Sequence, residues 1–90
     1  MLSPKKSRKF TKEYVLMEKR NKNMMKIDEV VALIIKEIPL PPRYHNHPLH
    51  GKYEGSLECH IEPDWLLIYK IYPAVQKVVF LRTGSHSDLF

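Results

Sequence analysis

The sequence predicts an α+β domain in which two N-terminal helices pack on an antiparallel β-sheet. Three observations carry that expectation. The apolar period is 3.6 up to residue 38 and 2 beyond residue 53. Prolines crowd the boundary between these regimes, and the links between the later segments are too short for helical crossovers. Ninety residues, 43% of them hydrophobic and 28% charged, fit one globular domain over residues 1–90.

The elements follow in order. Phe10, Tyr14 and Met17, with charged residues between them, predict a first amphipathic helix over Phe10–Asn21 opened by Thr11. Ile27, Val30, Val31, Ile34, Ile35 and Ile38 fall on one continuous stripe and predict a second helix, stopped by Pro39. Leu40–His50, with Pro41, Pro42 and Pro48, reads as a fixed loop. From Tyr53 to Ile61 apolar and polar residues alternate, which predicts a half-buried strand with His60 on its polar face. Pro63-Asp64 makes a turn, Trp65–Tyr72 a central strand, Tyr72–Val75 a second turn and Gln76–Thr83 a last strand. Gly84 breaks the pattern, leaving Ser85–Phe90 as a short polar tail with an aromatic end.

Composition excludes several classes of function. No apolar run approaches the ~18 residues of a spanning helix, and the basic N-terminus has no apolar segment behind it, so a cytoplasmic chain without membrane contact is expected. Cys59 stands alone, as suits a reducing compartment. With three glycines and no Cys-x-x-Cys, no nucleotide cofactor is expected. The net charge of +5 favours a polyanionic partner. It is unevenly placed: through Arg43 there are eleven basic and five acidic residues, a net of +6, whereas the remainder, at −1, holds all five histidines.

Those histidines are the candidates for chemistry. His60 lies one turn from Asp64, and His86 follows the last strand, where a meander can return it to the same edge. Imidazoles titrate near neutrality, so two of them flanking a phosphodiester would supply general base and general acid. A strand histidine can equally pair with Glu58 or Glu62. The run from His45 through His47 to His50 could contribute to a metal site with Cys59, His60 or His86. Its spacing departs from that of zinc-ligand pairs, and no metal is expected. Trp65 suits either core or base stacking, and Phe90, a terminal aromatic with little to hold it, suits stacking.

Three runs then stand out: His47-Pro48-Leu49-x-Gly51, Glu58-Cys59-His60-Ile61-Glu62-Pro63-Asp64-Trp65-Leu66-Leu67-Ile68-Tyr69, and Leu81-Arg82-Thr83-Gly84-Ser85-His86-Ser87-x-Leu89-Phe90. Together they resemble the YafQ-type toxins of the RelE/ParE superfamily, the toxin halves of bacterial type II toxin–antitoxin pairs, and the resemblance covers nearly the whole chain. It implies a RelE-like fold and a ribosome-dependent, metal-independent mRNA endonuclease without cofactor, in which the ribose 2′-hydroxyl attacks the adjacent phosphate and the 5′-oxygen leaves. It places functional residues at His47, His60, Asp64, Trp65, His86 and Phe90. On this reading His60 and His86 move protons, His47 touches the scissile phosphate and Asp64 orients a histidine, while Lys52 and Arg82 stabilise charge on the phosphate. The implied partners are a cognate acidic antitoxin, the ribosome with its mRNA, and operator DNA through the antitoxin complex. Two departures stand out: Leu57 where relatives commonly carry a basic residue, and His50 as an additional histidine. A basic RNA- or ribosome-binding module that inhibits by occupancy is the alternative.

Overall fold

The computed structural model describes all residues from Met1 to Phe90. The two helical stripes become α1 (Arg8–Lys19) and α2 (Met24–Ile35). Helix α1 begins earlier than Thr11 because Ser7 caps it: the Ser7 side chain accepts from the Phe10 amide at 3.0 Å and donates to the Leu81 carbonyl at 2.7 Å. Both helices end in Schellman turns. Asn21 and Glu37 adopt φ of 61° and 59°, and the Lys22 and Ile38 amides donate back to the Met17 and Leu33 carbonyls. The second helix therefore stops at Ile35, ahead of Pro39. Ile38 leaves the stripe and is 47% exposed. Ile27, Val30 and Ile34 remain on it and are buried, each stabilising the core by about 1.5–3 kcal/mol.

The sheet contains β1 (Ser3–Lys6), β2 (His47–Pro48), β3 (Leu57–Glu62), β4 (Trp65–Tyr72) and β5 (Lys77–Gly84), in the order β1-β5-β4-β3-β2. Strands β2 to β5 are antiparallel as expected, but β1 runs parallel to β5, so the sheet is mixed. The Ser3–Lys6 segment carries no strand pattern, being wholly exposed and polar with a proline inside it. It is anchored from outside its own sequence. Buried Leu2 donates its amide to Ile35, and the Ser3 amide donates to Gln76. The expected strand from Tyr53 begins only at Leu57, because Gly51–Tyr53 forms a 3-10 turn and Gly55 takes φ of 87°. The tail is not irregular: α3 (His86–Leu89) opens with a Ser85–Asp88 capping box.

Helices cover one face of the sheet, where Phe10, Met17, Ile27 and Val30 meet Cys59, Leu67, Tyr69, Val78 and Phe80. The other face carries only a small cluster of Leu66, Ile68 and Leu89 with Leu49, Tyr53 and Leu81 against it. That sparsely covered face presents the histidines. No helix is long and apolar enough to cross a membrane.

Candidate active site

Four elements converge on His60. It sits on β3 opposite Leu66, beside a register shift between His60 and Glu62, an irregularity that re-aims side chains where strands end. The register of β2 sets His47 opposite Glu58. His45 precedes it at φ of 46°, and α3 delivers His86. The rings of His45, His47 and His86 lie 5.6, 6.2 and 5.8 Å from that of His60, centre to centre.

Two carboxylates hold this cluster. Glu58, 5% exposed, places Oε1 at 3.3 Å from His60 Nε2 and 3.5 Å from His47 Nε2. The other nitrogen of His47, Nδ1, donates to the His45 carbonyl at 2.7 Å, since a carbonyl only accepts. Asp64 Oδ1 accepts from the His86 amide at 2.9 Å and from His86 Nδ1 at 2.6 Å, which turns Nε2 of His86 away from the carboxylate. These bonds, the backbone one first, hold the Asp64 carboxyl below the usual carboxylate range. The sequence pattern brings out Asp64 but passes over Glu58, which appears there only as a possible strand neighbour. Its position two residues before His60, on the same strand face, was the available signal.

The cluster borders a cavity of about 850 Å³ whose walls include His45, His47 and His60 together with Lys26 and Arg43. Lys26 and Lys22 bind Glu62 at 2.8 and 3.2 Å and hold its carboxyl low, Lys26 foremost. Phe90 is 65% exposed with its ring 5.9 Å from that of Tyr53, and Lys52 Nζ lies 5.6 Å from the centre of the Tyr53 ring. Both therefore border the open face. No hydrogen bond, ion pair or ring contact joins His50 to the cluster.

Two expected RNA-binding residues are placed differently. Trp65 is wholly buried, and its indole N–H donates to Thr83 Oγ1 at 2.9 Å, so the ring belongs to the core and offers no stacking surface. Its position at the head of β4, facing the helices, decides this. Arg82 is bound through Nε and Nη2 to Glu13 of α1 at 2.8 and 2.5 Å and through Nη1 to the Tyr53 hydroxyl at 2.8 Å. Its guanidinium, held charged chiefly by Glu13, ties α1 to the site-bearing face, and a phosphate would have to share it.

The donor set of His47, Glu58 and His60, whose ligand atoms lie within 4.8 Å of one another, could also hold a metal ion. Two imidazoles and a carboxylate fit a divalent transition metal.

The chain from residue 2 to residue 90 matches the model of a family described as the bacterial toxin of type II toxin–antitoxin system, YafQ. The chain belongs to the YafQ family of toxins. Over 85 residues, 93% of this chain and 90% of its relative, it is 41% identical to the mRNA interferase toxin YafQ of Escherichia coli K12. The E. coli DinJ–YafQ complex contains a chain that superposes with a TM-score of 0.92 at 38% identity, covering 100% of this chain and 99% of that one. A metal-bound toxin from Helicobacter pylori superposes with a TM-score of 0.93, also at 38% identity, over the full length of both chains. The YafQ fold is thus shared throughout, mixed sheet included.

Proposed function

We propose that this YafQ-family toxin is an mRNA interferase, an endoribonuclease that cuts mRNA on the ribosome by histidine general acid–base chemistry. The observation that supports it best is the pair of rings of His60 and His86, 5.8 Å apart and each held at one nitrogen by its own carboxylate. Such a pair can flank one phosphodiester. In the proposed step, one imidazole takes the proton of the ribose 2′-hydroxyl as that oxygen bonds to phosphorus. The other protonates the departing 5′-oxygen, leaving a 2′,3′-cyclic phosphate and a 5′-hydroxyl end. His47 faces the phosphate, Asp64 orients His86, and Lys52, beside Tyr53 on the open face, offsets charge on the RNA backbone. Phe90 supplies an exposed ring for a base. The basic helical half would supply salt-sensitive attraction to ribosomal RNA. The expected restraint on the toxin is a cognate acidic antitoxin, through which the complex reaches operator DNA.

The test is to incubate the purified chain with translating ribosomes and map RNA 5′ ends. New 5′-hydroxyl ends that disappear with His60→Ala and with His86→Ala, while the fold persists, are the expected result. Translation arrest without new ends would assign the chain to inhibition by occupancy. Full toxicity in both variants would remove the histidines from the chemistry.

A further inference from the structure

The open face of the sheet continues past the histidines. Along β4 its residues are Leu66, Ile68, Lys70 and Tyr72, with His60 opposite Leu66. At ~3.4 Å per residue, Lys70 lies about 14 Å along the strand from the row of His60. There the face hollows into a groove of about 470 Å³ lined by Arg8, Lys9, Lys52 and Lys70, with Glu54 as its single acid. None of these four cations forms an ion pair, whereas Arg20, Lys22, Lys26 and Arg82 all do.

The groove is also structured. Lys52 Nζ lies 5.6 Å from the centre of the Tyr53 ring, and Lys70 and Lys77 each lie 5.3 Å from that of Tyr72. Tyr53 joins the groove to the histidine site: it lines the groove, accepts from Arg82 and touches the ring of Phe90, the residue that follows α3.

We propose that this groove binds the single-stranded RNA that continues from the cleavage point, holding its phosphates so that the cut strand is positioned across His60 and His86. Four unpaired cations and one acid suit a polyanion, and the phosphate contacts carry no sequence preference. Tyrosine rings beside cations are the common furniture of single-strand tracks. Continuity through Tyr53 and Phe90 favours the cut strand over an acidic protein segment. The inference rests on the reading of the histidine cluster as an RNA-cutting site, but Lys9 and Lys70 of the groove take no part in the bond change.

The test uses the full chain with His86→Ala, so that bound RNA stays intact, with and without Lys9→Ala and Lys70→Ala together. Two single-stranded RNA oligonucleotides serve as probes, one confined to the histidine site and one extended on both sides. The double change is expected to weaken the extended oligonucleotide about fivefold and to reduce the slope of log affinity against log salt by about 1.4, two phosphate contacts at ~0.7 each. The short oligonucleotide should bind unchanged. An unaltered slope for the extended oligonucleotide overturns the proposal, and so does an equal loss for both probes, which would mean diffuse attraction. Weakened binding of an acidic antitoxin with RNA binding intact assigns the groove to that partner and overturns it as well. Failure of the histidine reading would show separately, as cleavage that survives His60→Ala.

Discussion

The burial of Trp65 can be tested through Thr83. Both residues are fully buried; Thr83 Oγ1 accepts from the Trp65 indole at 2.9 Å and donates to the Leu66 carbonyl at 2.8 Å. Valine has nearly the shape of threonine, so Thr83→Val opens no cavity. It leaves the indole N–H without an acceptor inside the core and takes one donor from Leu66, whose residue also faces Gly84 in the β4–β5 ladder. Orphaning the indole dominates, and such a group costs about 1–3 kcal/mol. For a domain of this size each kcal/mol moves Tm by ~4–8 °C, so a loss of about 2 kcal/mol corresponds to ~8–16 °C. Thermal melts of the purified variant measure this. A cycle with Trp65→Phe isolates the pair: once the indole N–H is gone, Thr83→Val should cost much less than in the parent. Cleavage at a permissive temperature should persist in both variants, because neither group reaches the open face. A Tm change below ~3 °C, or full additivity in the cycle, would refute the buried bond and return Trp65 to the list of RNA-contacting residues.

Asp88 links α3 to α1 through Arg20, at 2.7 and 3.2 Å, and its carboxyl is held well below the ordinary range, first by Arg20 and then by the Ser85 amide. A carboxyl whose folded pKa is depressed stabilises the fold above its unfolded pKa, ~3.9, and loses that contribution as pH falls. Asp88→Asn should therefore lower the urea midpoint at pH 7, with the gap to the parent narrowing below pH ~4; a constant gap would dismiss the link. Burial pushes the Cys59 thiol up to about 12 from 9.0. At pH 8 its thiolate fraction should fall about 10³-fold, so iodoacetamide should label the native chain only after unfolding, and prompt native labelling would contradict the core placement. If His60 and His86 alone carry the proton transfers, dialysis against a chelator leaves cleavage intact whether or not elemental analysis finds metal on His47, Glu58 and His60. Activity lost to the chelator and restored by zinc would assign the chemistry to that donor set.

What was legible in the sequence follows from range. Strand β4 is met as expected because five consecutive buried residues, Trp65 to Tyr69, leave few other placements for the segment. The stripe of α2 was equally plain, but its end at Ile35 depends on Glu37 entering the left-handed region, a backbone event that the apolar period does not record. Strand β1 was invisible, since its pairing is set by anchors at Ile35 and Gln76 distant in sequence. At the site, His60, Asp64 and His86 come together as the hairpin and the return of β5 require. Glu58 and Trp65 were harder to read because each takes its role from a partner across the sheet: two histidine rings for the first, a threonine hydroxyl for the second.

The charge division of the chain acquires a physical sense from these partners. The later half contains five acids, and four of them are committed: Glu58 to His47 and His60, Glu62 to Lys22 and Lys26, Asp64 to His86, Asp88 to Arg20. Two of these commitments neutralise cations of the helical half at its border with the site, and two orient imidazoles. These four acids therefore do little to repel an incoming phosphate, because each is turned toward a donor of the protein, and Glu54 alone is left without an ion pair. Lys52 and Lys70, free of ion pairs, give the open face its positive character despite the formal charge of −1 on this half. A formal count by segment thus misjudges the field that a polyanion meets; the pairing of each carboxylate decides it.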